Sequence, residues 1–377
     1  MKILIHSNAP IVNTGYGQQV AIFAPRLRDL GHEIVISAFY GIQGAPMSWE
    51  GMKVLPGSTT GDPYGTGILL EHARHERADL VLTLMDIWVL EPTLLAQMPV
   101  AHWLPVDCAP LSALDRACLA GSGAMPVAMS RFGESQLREH GFSPQFVPHG
   151  LHPLYCGELP SREDARREFG CPDQFVIGMN AANKDAFRKG MAEQFAAFAR
   201  LNQKHPDTLL LVHGMVAEQG ALDLNALAQS VGIAHAVRYV DQYAYLTGQI
   251  PVGHLAAWYR ALDLYSGCSL GEGFGIPLIE AQACGVPVVV TDASAMPENA
   301  GAGWVVPGEK FWNPTHKAFW TKPNVGDIYR AYEKAYLRDR AYEAKRAKAR
   351  DFAMGFEPDH VTNEYWKPVL EHLEKTL

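Results

Sequence analysis

Apolar residues fall in two alternating rhythms along this chain. Short unbroken runs give way to stretches in which an apolar residue returns every third or fourth position. "KILIHS" predicts a first strand. "GQQVAIFAPRLRDLG" predicts a helix with Val20, Phe23, Ala24 and Leu27 on one face and Gly31 closing it. "HEIVISAFY", "DLVLTLMD", "VAHWLPV", "MPVAMS" and "FVPHG" read as further strands, with helical stretches such as "GILLEHARHERA" and "RFGESQLREHG" between them. Strand and helix in repeated alternation predict a parallel sheet with helices on both faces.

Near residue 150 the rhythm pauses in the Pro- and Gly-rich "HGLHPLYCGELPSRED" and then restarts. "FVIGMNA", "TLLLVHG", "AVRYVD", "DLYSGC", "VPVVVTD" and "GWVVPG" read as strands, and "GMAEQFAAFARLNQ", "LDLNALAQSVG" and "VGHLAAWYRALD" as helices. The fold class expected is α/β, with two doubly wound Rossmann-like domains facing a cleft: residues 1–153, then 158–359, with a terminal helix 360–377 returning to the first. "FWNPTHKAFWTKP" reads as an aromatic-rich loop. The tail reads as one long charged helix from Val325 followed by a second kinked at Pro368.

A chain of 377 residues is long for one core, and 48% hydrophobic with 19% charged residues fits a globular enzyme. The net charge of -8 argues against a surface built to wrap nucleic acid. The six cysteines form no C-x-x-C pair, which points to free thiols and a reducing, cytoplasmic setting. No apolar run reaches membrane-spanning length, and "MKILIHSNAP" reads as a strand rather than a signal peptide. Peripheral membrane contact stays open.

Candidate chemistry concentrates in "LGEGFGIPLIEAQACGVPVVVTD". Pro277 suits the first helical position, so Glu280 falls about one turn into a helix and leans back toward the loop that holds Glu272. Gly273 and Gly275 permit close approach to backbone amides that attract an anion. Amides that attract an anion, set between two carboxylates, suit a ligand with a negative centre and hydroxyls on both sides. "NKDAFRKG" puts Lys184, Arg188 and Lys189 after a strand, where they would neutralise a diphosphate. "NTGYGQQV" puts Gly15 and Gly17 between a strand and a helix start. Its third glycine is replaced by Val20 and no acid follows the second strand, so the dinucleotide pattern is incomplete. Each feature alone also reads blandly, as a dipole-matched acid, a solvated basic loop or a tight turn.

Together these segments resemble the retaining, family-four type of nucleotide-sugar glycosyltransferases of GT-B fold. The resemblance runs over nearly the whole chain, through the Glu-x7-Glu block, "TGYGQQVAIFAPRLRDLGHEI", "VAMSRFGESQLREHGFSPQFVPHGLHP", "NKDAFRKG" and "AMPENAGAGWVVPG". It implies that Glu272 contacts hydroxyls of the transferred sugar and Glu280 the nucleotide ribose. Arg188 and Lys189 would hold the diphosphate, with Lys184 in a less regular role. Gly15 would let the first helix approach the phosphate, and Phe274, Gly275 and Ile276 would offer amides to the donor. "VAHWLPVDCAPL" stands where relatives carry a histidine near the reacting carbon. Asp107, at the strand's end, is preferred there over His102, which is expected in the strand's packing; His149 is read as structural, with a cleft role as the minor alternative. The activity implied is retaining transfer from a UDP- or GDP-type sugar to an acceptor hydroxyl, with no cofactor and no metal site. The acceptor is open between a glycan, a lipid-linked sugar, a small metabolite, a protein and a modified nucleic-acid base; the loops Tyr40–Thr66 and Trp103–Leu114 carry no readable code for it. A nucleotide-sugar epimerase, a glycan phosphorylase and a non-catalytic nucleotide-sugar binder are the alternatives on the same fold. Oligomeric state is not encoded legibly.

Overall fold

The computed structural model describes residues 1–58 and 61–376; Thr59, Thr60 and Leu377 lie outside the described residues, including the two that fall within the Tyr40–Thr66 loop. The chain divides into two compact units. One comprises Met1–His152, Asn313–Ala318 and Phe356 onward; the other comprises Pro153–Trp312 and Phe319–Gly355.

The first unit is an eight-stranded sheet in the order β3-β4-β2-β1-β5-β6-β7-β8. Its strands are β1 (Lys2–Asn8), β2 (Glu33–Tyr40), β3 (Met47–Trp49), β4 (Met52–Leu55), β5 (Leu80–Leu84), β6 (Val100–Leu104), β7 (Met125–Ala128) and β8 (Gln145–Phe146). All neighbours are parallel except β3 and β4. That antiparallel hairpin lies in a stretch whose apolar residues are too few to signal strands. The buried central strands read as near-continuous apolar runs because helices cover both faces. From Phe356 onward the chain packs on this unit: Trp366 is fully buried against Trp103 and Phe23, with ring centroids 4.9 and 6.0 Å away, and Arg26 bonds Asp359 at 2.7 Å.

The second unit is an all-parallel six-stranded sheet in the order β11-β10-β9-β12-β13-β14. The strands are β9 (Phe175–Asn180), β10 (Thr208–His213), β11 (Val237–Tyr239), β12 (Leu264–Gly267), β13 (Val288–Thr291) and β14 (Gly303–Val306). The chain runs outward from β9 through β10 and β11, then crosses back to β12 on β9's other side. The β9/β12 junction is therefore the topological switch point, whose carboxyl-end crevice is where open α/β sheets hold ligands. At the opposite edge the buried carboxylate of Asp263 takes bonds from Arg162, Arg166 and Arg338 at 2.7, 3.1 and 2.8 Å and from the Val176 amide at 2.9 Å. That node pins β12 beside β9, and with it the geometry of the crevice.

Two sequence expectations are corrected. The aromatic "loop" is a hairpin, β15 (Gly308–Asn313) with β16 (Ala318–Pro323), because alternating large side chains favour strands even without a core face. The long charged tail is two helices, Val325–Tyr336 and Arg340–Ala353, broken where Arg338 takes a φ of 46°. Pro368 lies in a helical run that continues from Pro358 to Thr376, and the bond its missing amide hydrogen cannot make falls beside a π-helical turn at Thr362–Trp366. Among the described residues no helix is long and apolar enough to cross a membrane. All six cysteines are free of disulfides.

Candidate functional site

Two loops meet at the switch point of the second unit. The one after β9 is shaped by Asp185, whose Oδ1 accepts the amides of Phe187 and Arg188 at 2.9 and 2.6 Å. This tight turn delivers Arg188 and Lys189 in succession. Gly190 ends it at φ 55°, and a Cβ there would stand 2.2 Å from the Cys268 carbonyl. The loops are fastened to each other where the Leu270 amide donates to the Arg188 carbonyl at 2.7 Å.

Glu272 is the centre of charge. Lys189 Nζ lies 2.5 Å from its Oε1 and Arg188 Nη1 3.4 Å from its Oε2. Ser269 Oγ donates to Oε1 at 2.6 Å, and the Glu272 amide donates to Ser294 Oγ at 2.8 Å. Burial pushes the Glu272 carboxyl up, but Lys189, Arg188 and the bonds to Lys189 and Ser269 outweigh it and hold it below the usual glutamate range. Burial, and then Arg188 beside it, draws Lys189 below the usual lysine value against the pull of Glu272. The cluster is therefore an ionised carboxylate shared by two cations, with Asp185 3.7 Å from Arg188 Nε. Two positive and two negative groups balance locally, so the donors that tip the crevice toward an anion are backbone ones.

Those donors start the helix Ile276–Ala283. Its N-cap, Gly275, sits at φ 92° with no side-chain cap. Among the described residues the amides of Gly275 and Ile276 have no protein acceptor, as expected of an uncapped helix start. Pro277 is the second helical residue rather than the first. Phe274 is buried, and its carbonyl accepts from Asn299 Nδ2 at 2.7 Å. A pocket here is lined by Asn180, Lys189, Ser269, Glu272, Gly275 and Pro277, among others.

Glu280 stands behind that lining rather than on it. It is 3% exposed and accepts from Tyr259 Oη at 2.9 Å. Burial raises its carboxyl to about 7, with the Tyr259 bond working in the other direction. Tyr259 Oη in turn takes a bond from Asn180 Nδ2 at 2.8 Å. The helix-face argument that Glu280 points toward the entry loop thus omitted Tyr259, which holds it on the helix's packed side.

Of the other residues singled out in the sequence, Lys184 is exposed and lines no part of this pocket. In the first unit, Gly15 is the exposed first residue of the helix Gly15–Asp29, capped by Thr14. Gly17 is buried; a Cβ would stand 2.5 and 2.8 Å from the Val12 and Ala9 carbonyls, and its amide is taken by Thr14 Oγ1 at 3.1 Å. Packing within the unit thus accounts for this glycine. His102 is fully buried on β6, with Nδ1 2.7 Å from Thr83 Oγ1, and burial lowers it to about 3. His149 is buried edge-on to Trp103, with centroids 4.7 Å apart, and burial likewise lowers it to about 3. Asp107 is half-buried in the loop after β6. Its charge, with that of Asp86, helps burial raise Asp115 to about 8.

Sequence reasoning missed Ser269, Ser294, Asn180 and Tyr259. Ser269 was findable, three residues before Glu272 in the same block. Asn180 ends β9, Tyr259 lies on the helix Val252–Ala261 and Ser294 in the turn after β13, and no local spacing marks them. Among the described residues no group of three or more His, Cys, Asp or Glu side chains is placed to hold a metal.

Residues 170–318 match the family model described as "Glycosyl transferases group 1". The matched segment is less than half of the chain. It contains both loops, Glu272 and Glu280. The D-inositol 3-phosphate glycosyltransferase of Corynebacterium jeikeium is 34% identical over 147 residues, 37% of this chain and 33% of that protein. The serotype-specific mannosyltransferase WbdA of Escherichia coli is 26% identical over 188 residues, 50% of this chain and 20% of that protein. The chain thus spans about a third of the first of these relatives and less of the second. Sucrose-phosphate synthase from Thermosynechococcus elongatus superposes with a TM-score of 0.77 at 16% identity, covering 100% of both chains. HepE from Anabaena, solved with UDP, gives 0.73 at 16% identity over 100% of both. The fold is the GT-B fold of these glycosyltransferases.

Proposed function

We propose that the protein is a retaining glycosyltransferase that moves a sugar from a nucleoside-diphosphate sugar, of UDP or GDP type, to an acceptor hydroxyl without a metal ion. The observation that carries this reading is the Glu272 carboxylate shared by Lys189 and Arg188 next to the open amides of Gly275 and Ile276. The named activities of the relatives support transfer of a sugar, and the UDP and UDP-glucose complexes of HepE support a UDP donor.

In this reading the donor diphosphate lies against the helix start and takes Lys189 and Arg188 as counter-ions. Glu272, anchored by Ser269, then turns its lone pairs to hydroxyls of the transferred sugar. Glu280 stands behind the lining with Oε2 held by Tyr259, so its contact with the ribose, through Oε1 once ionised, requires the lining to give way. Bond exchange is on one face: the C1–O bond to phosphate breaks, the acceptor oxygen bonds C1, and the acceptor's proton passes to the departing diphosphate. The two cations and the amides stabilise charge developing on that leaving group, the role a metal fills elsewhere.

The test is product analysis with UDP-glucose and an acceptor panel of glycans, lipid-linked sugars and small polyols. The reading expects UDP release that depends on acceptor, survives chelation, and gives an α-linked product by proton NMR. A β-linked product contradicts retention. Recovery of an epimerised donor, or turnover only with phosphate, replaces transfer by the other reactions the fold supports.

A further inference from the structure

A partly buried chain of hydrogen bonds runs from behind the pocket through Asn180, which lines it. His213 Nδ1 lies 3.1 Å from Asn180 Oδ1, Asn180 Nδ2 lies 2.8 Å from Tyr259 Oη, and Tyr259 Oη lies 2.9 Å from Glu280 Oε2. It joins the carboxyl ends of β10 and β9 to the helices Val252–Ala261 and Ile276–Ala283. His213 is 7% exposed, packed edge-on by Tyr245 and Trp258. Its Nε2 is buried with no hydrogen-bond partner among the described residues.

Each link has one proton to place, so the chain has two polarities. With Glu280 ionised, Tyr259 donates to it, Asn180 donates to Tyr259, and His213 donates from Nδ1 to Asn180; Nε2 then holds only a lone pair. With Glu280 protonated, the order can reverse. Glu280 donates to Tyr259, whose hydroxyl turns to Asn180 Oδ1, and the flipped amide donates to His213 Nδ1. The ring loses its Nδ1 proton and gains one at Nε2, so the net change is one proton taken up by Glu280. A buried N–H without an acceptor costs more than a buried lone pair without a donor. The orphaned Nε2 therefore disfavours the second polarity.

We propose that His213 is a positioning residue that holds Glu280 in its ionised, hydroxyl-accepting form through the tautomer of its own ring. The functional consequence rests on Glu280 accepting from the donor's ribose; the coupling itself does not. The other titratable groups facing Glu280 are Tyr155, Tyr259, Tyr265 and Cys284, and burial keeps each of them protonated. His213 faces His254, which is paired with Glu168 at 2.9 Å, and Tyr245. Burial keeps the His213 ring neutral, lowering it to about 4. The switch is then one of tautomer, not of ring charge.

The test uses nitrogen-15 NMR of the histidine rings in the full chain, without ligand. The His213 ring should stay neutral from about pH 5.5 to 8.5, carry its proton on Nδ1 above about pH 7, and move toward Nε2–H below it. In Glu280→Gln the tautomer should not change with pH. A single tautomer throughout in the native protein, or a ring that charges in this window, overturns the coupling. UDP-glucose binding followed against pH reads the consequence. His213→Leu should move the binding midpoint up by about half a unit, weakening binding about twofold at pH 7 and about threefold well below it. His213→Asn, which puts an amide N–H where Nδ1 stands, should restore it. Tyr259→Phe should move the midpoint about one unit, weakening binding about fivefold at pH 7 and about tenfold well below it. An unmoved midpoint in His213→Leu overturns the positioning role even if the tautomer switches. Absence of UDP-glucose binding to the native protein removes the donor reading, while the NMR result still decides the coupling.

Discussion

The two sheets are built alike and end differently. At the carboxyl half of the first, His6, His102 and His149 are all buried and neutral, lowered by burial to about 4, 3 and 3. Each is absorbed by its own surroundings: His6 by Ser37 and the Tyr64 carbonyl, His102 by Thr83, His149 by Trp103. At the carboxyl end of the second, burial is resisted. Glu272 stays ionised because two cations share it, and Glu280 sits near the middle of its titration because a single hydroxyl answers it. A polar residue at a strand's end is thus scaffold where burial leaves it neutral, and a candidate for chemistry where a counter-charge keeps it ionised beside an open pocket.

The sharpest way to break this contrast is Lys189→Ala. It removes the shorter ion pair and leaves Glu272 buried against Arg188 alone. Affinity for UDP-glucose, read by calorimetry, should fall on the order of 100-fold or more, the weight of a charge-assisted bond of roughly 3 kcal/mol. Glu280→Gln follows. The carboxyl sits at about 7 folded against an ordinary 4.5, so the folded state binds the proton more tightly across that window and stability falls as pH rises through it. Chemical denaturation should show that fall, about 3 kcal/mol at most, in the native protein and its loss in the variant.

Much of this was legible beforehand, for reasons particular residues make plain. Buried parallel strands such as "VVVT" and "LLLV" announce themselves, and Glu272, Arg188 and Lys189 lie in loops fixed by local signals, Asp185 and Gly275. What stayed hidden was supplied across the sheet. Tyr259 turns Glu280 away from the pocket wall from a helix 21 positions away, and His213 reaches Asn180 over 33. The strands β3 and β4 are only three and four residues long, and most side chains of β15/β16 stay outside the core, so neither hairpin gave a readable apolar run. Gly17 shows the reverse case: a glycine expected to admit a phosphate already has a packing reason in the Val12 and Ala9 carbonyls.

That last point sharpens the contrast from the other side. Gly17→Ala should destabilise the protein by about 2 kcal/mol through overpacking while UDP-glucose affinity changes less than about twofold. A large affinity loss with little change in stability would return Gly17 to the site. Smallest of all, Lys184→Ala should weaken donor binding by no more than about threefold, and the loss should vanish at high salt, as for a solvated charge.

The central claim, that the switch-point crevice of the second unit binds a nucleotide-sugar, is tested most directly by titrating UDP-glucose into the native protein and into Arg188→Ala at pH 8. The account predicts measurable binding to the native protein and at least about tenfold weaker binding to the variant. Equal affinities, or binding of neither UDP- nor GDP-sugars by the native protein, would contradict it.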